Sequence, residues 1–139
     1  MEAIGNFSII IKKNENFKCR IPLFIIGNNL EGVANHLPKY QAVYLLPSAK
    51  IERTDQARFI ESVAKVYCSE IQKVNPDGPY MLLGYCFAGK IAYAVAQNLK
   101  NNGKEVRFLF LIECNWLQSY TKRLHDFISG YTNFELPPI

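Results

Sequence analysis

Residues 80–89 read Tyr80-Met81-Leu82-Leu83-Gly84-Tyr85-Cys86-Phe87-Ala88-Gly89. The run Tyr80 to Leu83 has the length and composition of a buried strand, and Lys90 to Leu99 continues as a helix-like stretch. A cysteine therefore sits where a strand turns sharply into a helix. That is the layout of a nucleophile elbow, which lifts a side chain above the end of a sheet and aims the amides of the new helix at whatever it attacks. Cys86 is the candidate nucleophile, and a helix start favours its thiolate form. The contrary reading is a small buried hydrophobe at a turn, since free cysteine is often buried.

The alternation extends in both directions from the elbow. Downstream, Gly103 stops the helix and Val106 to Ile112 reads as a further apolar strand. Upstream, Asn75-Pro76-Asp77-Gly78-Pro79 ends a long helix in which Phe59, Ile60, Val63, Val66, Tyr67 and Ile71 recur at helical spacing, with Thr54 as its N-cap. Ala42 to Leu46 is a strand closed by Pro47, and a short helical piece through Val33, Ala34 and Leu37 precedes it. Phe7 to Ile11 and Ile21 to Ile26 flank the polar Lys12 to Asn16, which predicts a hairpin leading into an interior strand. Such alternation predicts an α/β fold, a mostly parallel sheet with helices on both faces.

Beyond residue 115 the pattern changes. Trp116, Leu117, Tyr120, Leu124, Phe127 and Ile128 predict an amphipathic helix, the start of a lid or a terminal helix, and a tail follows from Tyr131 to Ile139. No further strand is read there, so Val106 to Ile112 falls at or near a sheet edge. An apolar edge needs a cover, and further polypeptide is the expected one.

With 139 residues, 49% of them hydrophobic, the chain has room for one core, and a single domain over residues 1–139 is expected. The formal charge of +4 is spread rather than clustered, which argues against nucleic acid. A weakly basic surface suits an acidic protein partner, or is simply a solvated face. Cys19, Cys68, Cys86 and Cys114 have neither metal-ligand nor disulfide-framework spacing, so no metal is expected and a reducing, cytoplasmic setting is. No basic segment precedes a long apolar core at the start, and Phe108 to Ile112 is too short to cross a bilayer.

With GPYMLLGYCFAG (78–89) and KIAYAVAQNLKNNGKEVRFLFLIE (90–113) in place, the chain resembles the thioesterase domains that end nonribosomal peptide and polyketide synthetases, and their free-standing editing relatives. The likeness runs from Phe7 to Glu113 and includes the IPLFII strand and the approach Asn75 to Pro79. It implies the α/β-hydrolase fold and a nucleophile, an acid and a histidine in that chain order. Cys86 matches the nucleophile, usually serine, and Glu113 at the end of the last strand matches the acid, usually aspartate. The implied oxyanion donors are the amides of Phe87 and of the loop after Ile26, with Asn29 the best match.

The implied substrate is an acyl or peptidyl thioester on the phosphopantetheine arm of a carrier protein, so the cofactor belongs to the partner and none is bound by this chain. Departures from the family pattern are also visible. Ala88 adds a methyl where the motif has glycine, and Gly27-Asn28-Asn29-Leu30 replaces a histidine- and glycine-containing loop. Neither His36 nor His125 stands where the family places its histidine, beyond the acid and after a lid. The sequence therefore reads as a thioesterase domain without its C-terminal strands and most of its lid. Its expected function is release, cyclisation or transfer of an acyl chain through Cys86. The alternatives are a catalytically inactive remnant that binds a carrier protein or partner chain, and an unrelated doubly wound binding domain.

Overall fold

The computed structural model describes residues 11–13, 21–28, 30–47 and 56–113. In chain order these form β1 (Ile11–Lys13), β2 (Leu23–Ile26), α1 (Glu31–His36), β3 (Val43–Leu46), α2 (Gln56–Val74), β4 (Tyr80–Tyr85), α3 (Ala88–Asn101) and β5 (Val106–Ile112). The strands make one sheet in the order β1-β3-β2-β4-β5. β2 to β5 are parallel to their neighbours, and β1 runs antiparallel to β3. The fold is the expected α/β class.

Handedness explains why helices lie on both faces. The connection through α1 steps from β2 toward one edge, whereas those through α2 and α3 step toward the other. Right-handed crossovers running in opposite directions must use opposite faces. One face carries the larger core, where Phe24, Ile26, Leu46, Tyr80 and Leu82 meet Val63, Tyr67 and Ile71 of α2 and Ile91, Val95 and Leu99 of α3. On the other face Leu23, Ile25, Val43, Leu45 and Leu83 pack against Ala34, with Leu30, Val33 and Leu37 around it. The reversal falls between β2 and β4, and in open α/β sheets ligands bind at the carboxyl ends of the strands beside such a reversal.

Two tyrosine hydroxyls at this core bond to nearby backbone carbonyls. Tyr67 donates its hydroxyl to the Pro47 carbonyl, and burial pushes its pKa up to about 12. Tyr80 donates to the Asn75 carbonyl at 2.6 Å, which ties β4 to the turn that precedes it.

The expected hairpin between the first two strands is not formed. β1 pairs with β3 instead, with Ile11 opposite Leu45 and Lys13 opposite Val43, and β3 lies between β1 and β2. Lys12 and Lys13, read as the start of the hairpin turn, belong to β1 itself, and residues 14–20 lie outside the described residues. Thr54 and the segment from Cys114 onward lie outside the described residues. Among the described strands β1 and β5 lie at the two edges, and Phe108, Phe110 and Ile112 on β5 are 49%, 46% and 43% exposed.

Candidate active site

At the carboxyl ends of β4 and β5 two non-glycine residues stand side by side in the left-handed region, Cys86 at φ +52° and Glu113 at φ +55°. Each such conformation costs about 1–2 kcal/mol, so it persists only where neighbours impose it. For Cys86 the imposition is visible. Its amide donates to the Ile112 carbonyl at 2.8 Å, and its carbonyl accepts the Gly89 amide at 3.1 Å. The residue is held between the last rung of the sheet and the first turn of α3, with its side chain exposed.

The small residues of the motif set how closely that helix approaches. A Cβ on Gly84 would lie 2.6 Å from the Gly89 Cα and 2.7 Å from the Ala92 Cβ, so the helix start rests directly on the strand. Ala88, where the family pattern has glycine, is only 3% exposed and belongs to the larger core. Its methyl stands beside Gly27, at φ +147°, where an added Cβ would lie 3.6 Å away, an ordinary contact distance. The departure at Ala88 thus leaves the elbow geometry intact.

Phe87 is the N-cap of α3, with φ −61° and ψ −38°. Amides at the first turn of a helix have no intrahelical acceptor, which suits them to a developing oxyanion. The Lys90 ammonium lies 5.6 Å from the centre of the Phe87 ring. Asn29 lies outside the described residues. Its loop begins at Gly27, whose amide donates to the Leu46 carbonyl at 2.9 Å and whose α-carbon faces Ala88, so the loop after β2 starts against the elbow.

Glu113 is exposed at the end of β5, and its carboxylate accepts the Tyr85 hydroxyl at 2.6 Å. Tyr85 immediately precedes the nucleophile position, and sequence reading did not single it out. The pairing joins residues far apart in the chain but adjacent in register, since Tyr85 lies opposite Ile112. The hydrogen bond to Glu113, then the charge of that carboxylate, raise the Tyr85 pKa above the ordinary tyrosine value of 10.0. A raised pKa stabilises the fold below the unfolded value and loses that contribution as pH rises through the native one. Glu113→Gln removes the charge, so Tyr85 is expected to ionise at lower pH than in the parent chain. The tyrosinate absorbance difference between the two proteins measures it.

The histidines do not complete a triad among the described residues. His36 lies near the end of α1, with Nδ1 2.6 Å from the Gly32 carbonyl oxygen, and His125 lies outside the described residues.

Two described thiols contrast sharply. Cys86 is exposed, whereas Cys68 is buried, with Sγ 3.5 Å from the Val95 carbonyl oxygen, and burial pushes its pKa up to about 12. At mildly alkaline pH iodoacetamide is expected to modify Cys86 in the folded protein and to spare Cys68 until the chain is denatured, as peptide mapping will show.

Among the described residues no helix is long and apolar enough to cross a membrane, and no cluster of His, Cys, Asp and Glu gathers to hold a metal. An open groove between α2 and α3 is lined by Lys65, Ser69, Gln72, Lys73, Asn98 and Asn102. It lies toward the far end of α3 from Cys86.

Comparison with known proteins places this geometry. The family described as Thioesterase domain matches residues 32–123. Malpibaldin synthetase of Mortierella alpina is 33% identical over 124 residues, a match covering 84% of this chain and 2% of that protein. Non-reducing polyketide synthase terA of Aspergillus terreus is 50% identical over 54 residues, covering 39% of this chain and 3% of that one. Among solved structures, the NocB thioesterase domain in covalent complex with a fluorophosphonate nocardicin G analog superposes with a TM-score of 0.62 at 24% identity, over 75% of this chain and 48% of that one. Holo-AB3403, a four-domain nonribosomal peptide synthetase bound to AMP and glycine, gives a TM-score of 0.62 at 28% identity, covering 75% of this chain and 8% of that one. The chain thus spans about half of a solved thioesterase domain and a small part of each synthetase.

Proposed function

Because this chain belongs to the thioesterase domain family found in nonribosomal peptide and polyketide synthetases, we propose that Cys86 takes an acyl or peptidyl chain from the phosphopantetheine thioester of a carrier protein. The observation that carries this reading is an exposed thiol held left-handed at a strand-to-helix turn, beside a carboxylate at the end of the next strand. The pantetheine arm is the partner's, and the chain contributes no cofactor of its own.

The first step is a thiol exchange. The Cys86 thiolate, its proton lost to solvent, attacks the thioester carbonyl, and the amides of Phe87 and of Asn29 hold the oxyanion. The carbon–sulfur bond to pantetheine breaks and pantetheine leaves as a thiolate. One thioester and one thiolate are exchanged for another pair, so the step needs no proton at the reacting centre. A serine would need a general base here. Water or a nucleophile within the acyl chain then attacks acyl-Cys86, loses a proton, and releases the Cys86 thiolate. Glu113, steadied by Tyr85, is the carboxylate that orients the acceptor of this proton, a histidine supplied from outside the described residues. A thioester is more reactive toward amines than an ester is, so cysteine favours transfer or cyclisation over hydrolysis.

A second reading draws on a specific observation. The Glu113 carboxylate accepts a tyrosine hydroxyl, and the one described histidine lies beside a backbone carbonyl of its own helix. On that reading the fold is catalytically silent and binds a carrier protein or partner chain. Intact-mass spectrometry after exposure to an acyl-pantetheine thioester separates the two. An added acyl mass that maps to Cys86 is the expected result, and no adduct on a chain that circular dichroism shows to be folded leaves the binding role.

A further inference from the structure

Tyr85, Phe108, Phe110 and Ile112, which with Tyr40 are the large apolar side chains exposed among the described residues, stand together at one corner of the sheet. Phe108, Phe110 and Ile112 alternate along β5 and so share one face, with Phe108 and Phe110 stacked at 5.9 Å between ring centres. Leu109 and Leu111 pack on the other face, against the larger core. Register sets the stripe beside Met81, Leu83 and Tyr85 of β4, and Leu83 already belongs to the apolar cluster under α1. The upper row of this surface adjoins the elbow. Tyr85 directly precedes Cys86, and the Ile112 carbonyl accepts the Cys86 amide at 2.8 Å. No charge interrupts the stripe, because Arg107 falls in the opposite alternation and is paired with Glu105 at 3.0 Å. An exposed apolar row that leads to a reactive thiol marks a ligand surface.

We infer that this surface is the bed for the acyl chain that Cys86 receives, and that the chain is an unbranched hydrocarbon of about ten carbons. What is bound rests on the transfer proposed above, and where it lies rests on β5. Size selects the occupant. Four side chains of this kind, each a little under half exposed, offer on the order of 350 Å², whereas a stable protein interface buries about 800 Å² on each partner. Ten methylenes carry about 300 Å² of apolar surface, which is the same scale. The exposed stripe is also one strand wide, about 5 Å, the breadth of a single extended chain. From Ile112 to Phe108 it runs about 13 Å, and each methylene of a saturated chain advances about 1.25 Å at ordinary carbon bond lengths and angles. About ten carbons therefore reach from the elbow to Phe108. A peptidyl chain, with an amide to satisfy at every residue, finds no partner among Phe108, Phe110 and Ile112.

Hexanoyl- and decanoyl-pantetheine test the assignment, each kept below its micelle concentration. Complete burial of a methylene is worth about four-fold in an equilibrium, and a one-sided bed about two-fold. The four further methylenes of the decanoyl chain are therefore expected to raise the rate of Cys86 acylation about 10- to 20-fold at low thioester, read by intact mass. Phe108→Thr/Phe110→Thr keeps a strand-forming residue at both positions and is expected to bring that ratio below about two-fold. If the double variant loses the circular dichroism of the parent, Phe108→Thr alone, at the far end of the stripe, is expected to lower the ratio several-fold with the sheet intact. Binding is read without chemistry by calorimetric titration of Cys86→Ala. There the decanoyl thioester is expected to bind tighter than the hexanoyl by the same factor, and the difference is expected to vanish when Phe108→Thr/Phe110→Thr is added. Acylation by neither thioester, with the binding preference intact, would sink the transfer and leave the acyl bed standing. Equal binding of the two would overturn the bed whatever the acylation shows, and so would a preference that survives the loss of Phe108 and Phe110.

Discussion

Cys86→Ala is expected to fold as the parent chain does and to acquire no acyl group from a pantetheine thioester. The two effects separate because the side chain is exposed and the strain lies in the backbone. Alanine at φ +52° carries the same left-handed cost as cysteine. A substitution at such a surface position changes stability by about 0.5 kcal/mol or less. Adduct formation, in contrast, loses its only covalent acceptor at the elbow and falls to the background of the exposed lysines. Two further variants sharpen the test. Cys86→Ser keeps an oxygen nucleophile but needs its proton removed as it attacks, and a positioned general base is worth about 100- to 10,000-fold. With no histidine at the site among the described residues, acylation of the serine variant is expected to be slower by at least that lower factor. Cys86→Gly relieves the left-handed strain at some cost in chain entropy, and is expected to raise stability by up to about 1 kcal/mol while abolishing acylation. Intact mass and thermal unfolding together read all three. A chain still acylated after Cys86→Ala would move the nucleophile elsewhere.

What the sequence made legible was local. The elbow could be read because its signals are close together: an apolar run, a small residue two positions to either side of Cys86, then helical spacing. β5 could be read for the same reason, and its observed limits, Val106 and Ile112, are those of the apolar run. β4 extends beyond its apolar run, through Gly84 to Tyr85, because pairing with Leu111 and Ile112 continues past the point where side chains become small. Composition does not carry that information. The hairpin expectation failed on the same ground. Which strand β1 joins depends on β3, 30 residues further on, and a polar linker between two apolar runs looks the same whether the runs pair or are separated by a third. The Tyr85–Glu113 hydrogen bond was illegible too, because it exists only once β4 and β5 lie in register. Ala88 shows the reverse case. As a departure from a motif it suggested a disturbed turn, yet its methyl is buried in the larger core while the Cys86 amide and carbonyl keep their hydrogen bonds. Whether an added methyl finds room is a property of the fold.

Gly84→Val is expected to cost enough to unfold the domain, and Gly84→Ala to destabilise it by about 1–3 kcal/mol or more. Gly84 is not at positive φ, so what it supplies is space. A Cβ there would meet the Gly89 Cα at 2.6 Å, the Ala92 Cβ at 2.7 Å and the Ala88 carbonyl oxygen at 2.8 Å. None of these is the flexible end of a long side chain, so relief requires α3 to move as a body. Moving α3 withdraws Ile91, Val95 and Leu99 from the larger core, where all three are fully buried. It also breaks the reach from the Gly89 amide to Cys86. Pairing gives the strand no room to retreat, because Gly84 lies between Ile26 of β2 and Leu111 of β5. Set against a total stability of about 5–15 kcal/mol for a domain, one methyl removes a substantial part, and the branched side chain takes most of the rest. Gly32→Ala is the control. It lies within α1 with nothing inside 4 Å of an added Cβ, and is expected to gain about 0.5–1 kcal/mol from helix propensity. Denaturant unfolding of the three variants gives the comparison. A Gly84→Ala chain as stable as the parent would mean that α3 does not rest on β4 at this point. The placement of the Phe87 amide at the start of α3 would then not depend on that contact.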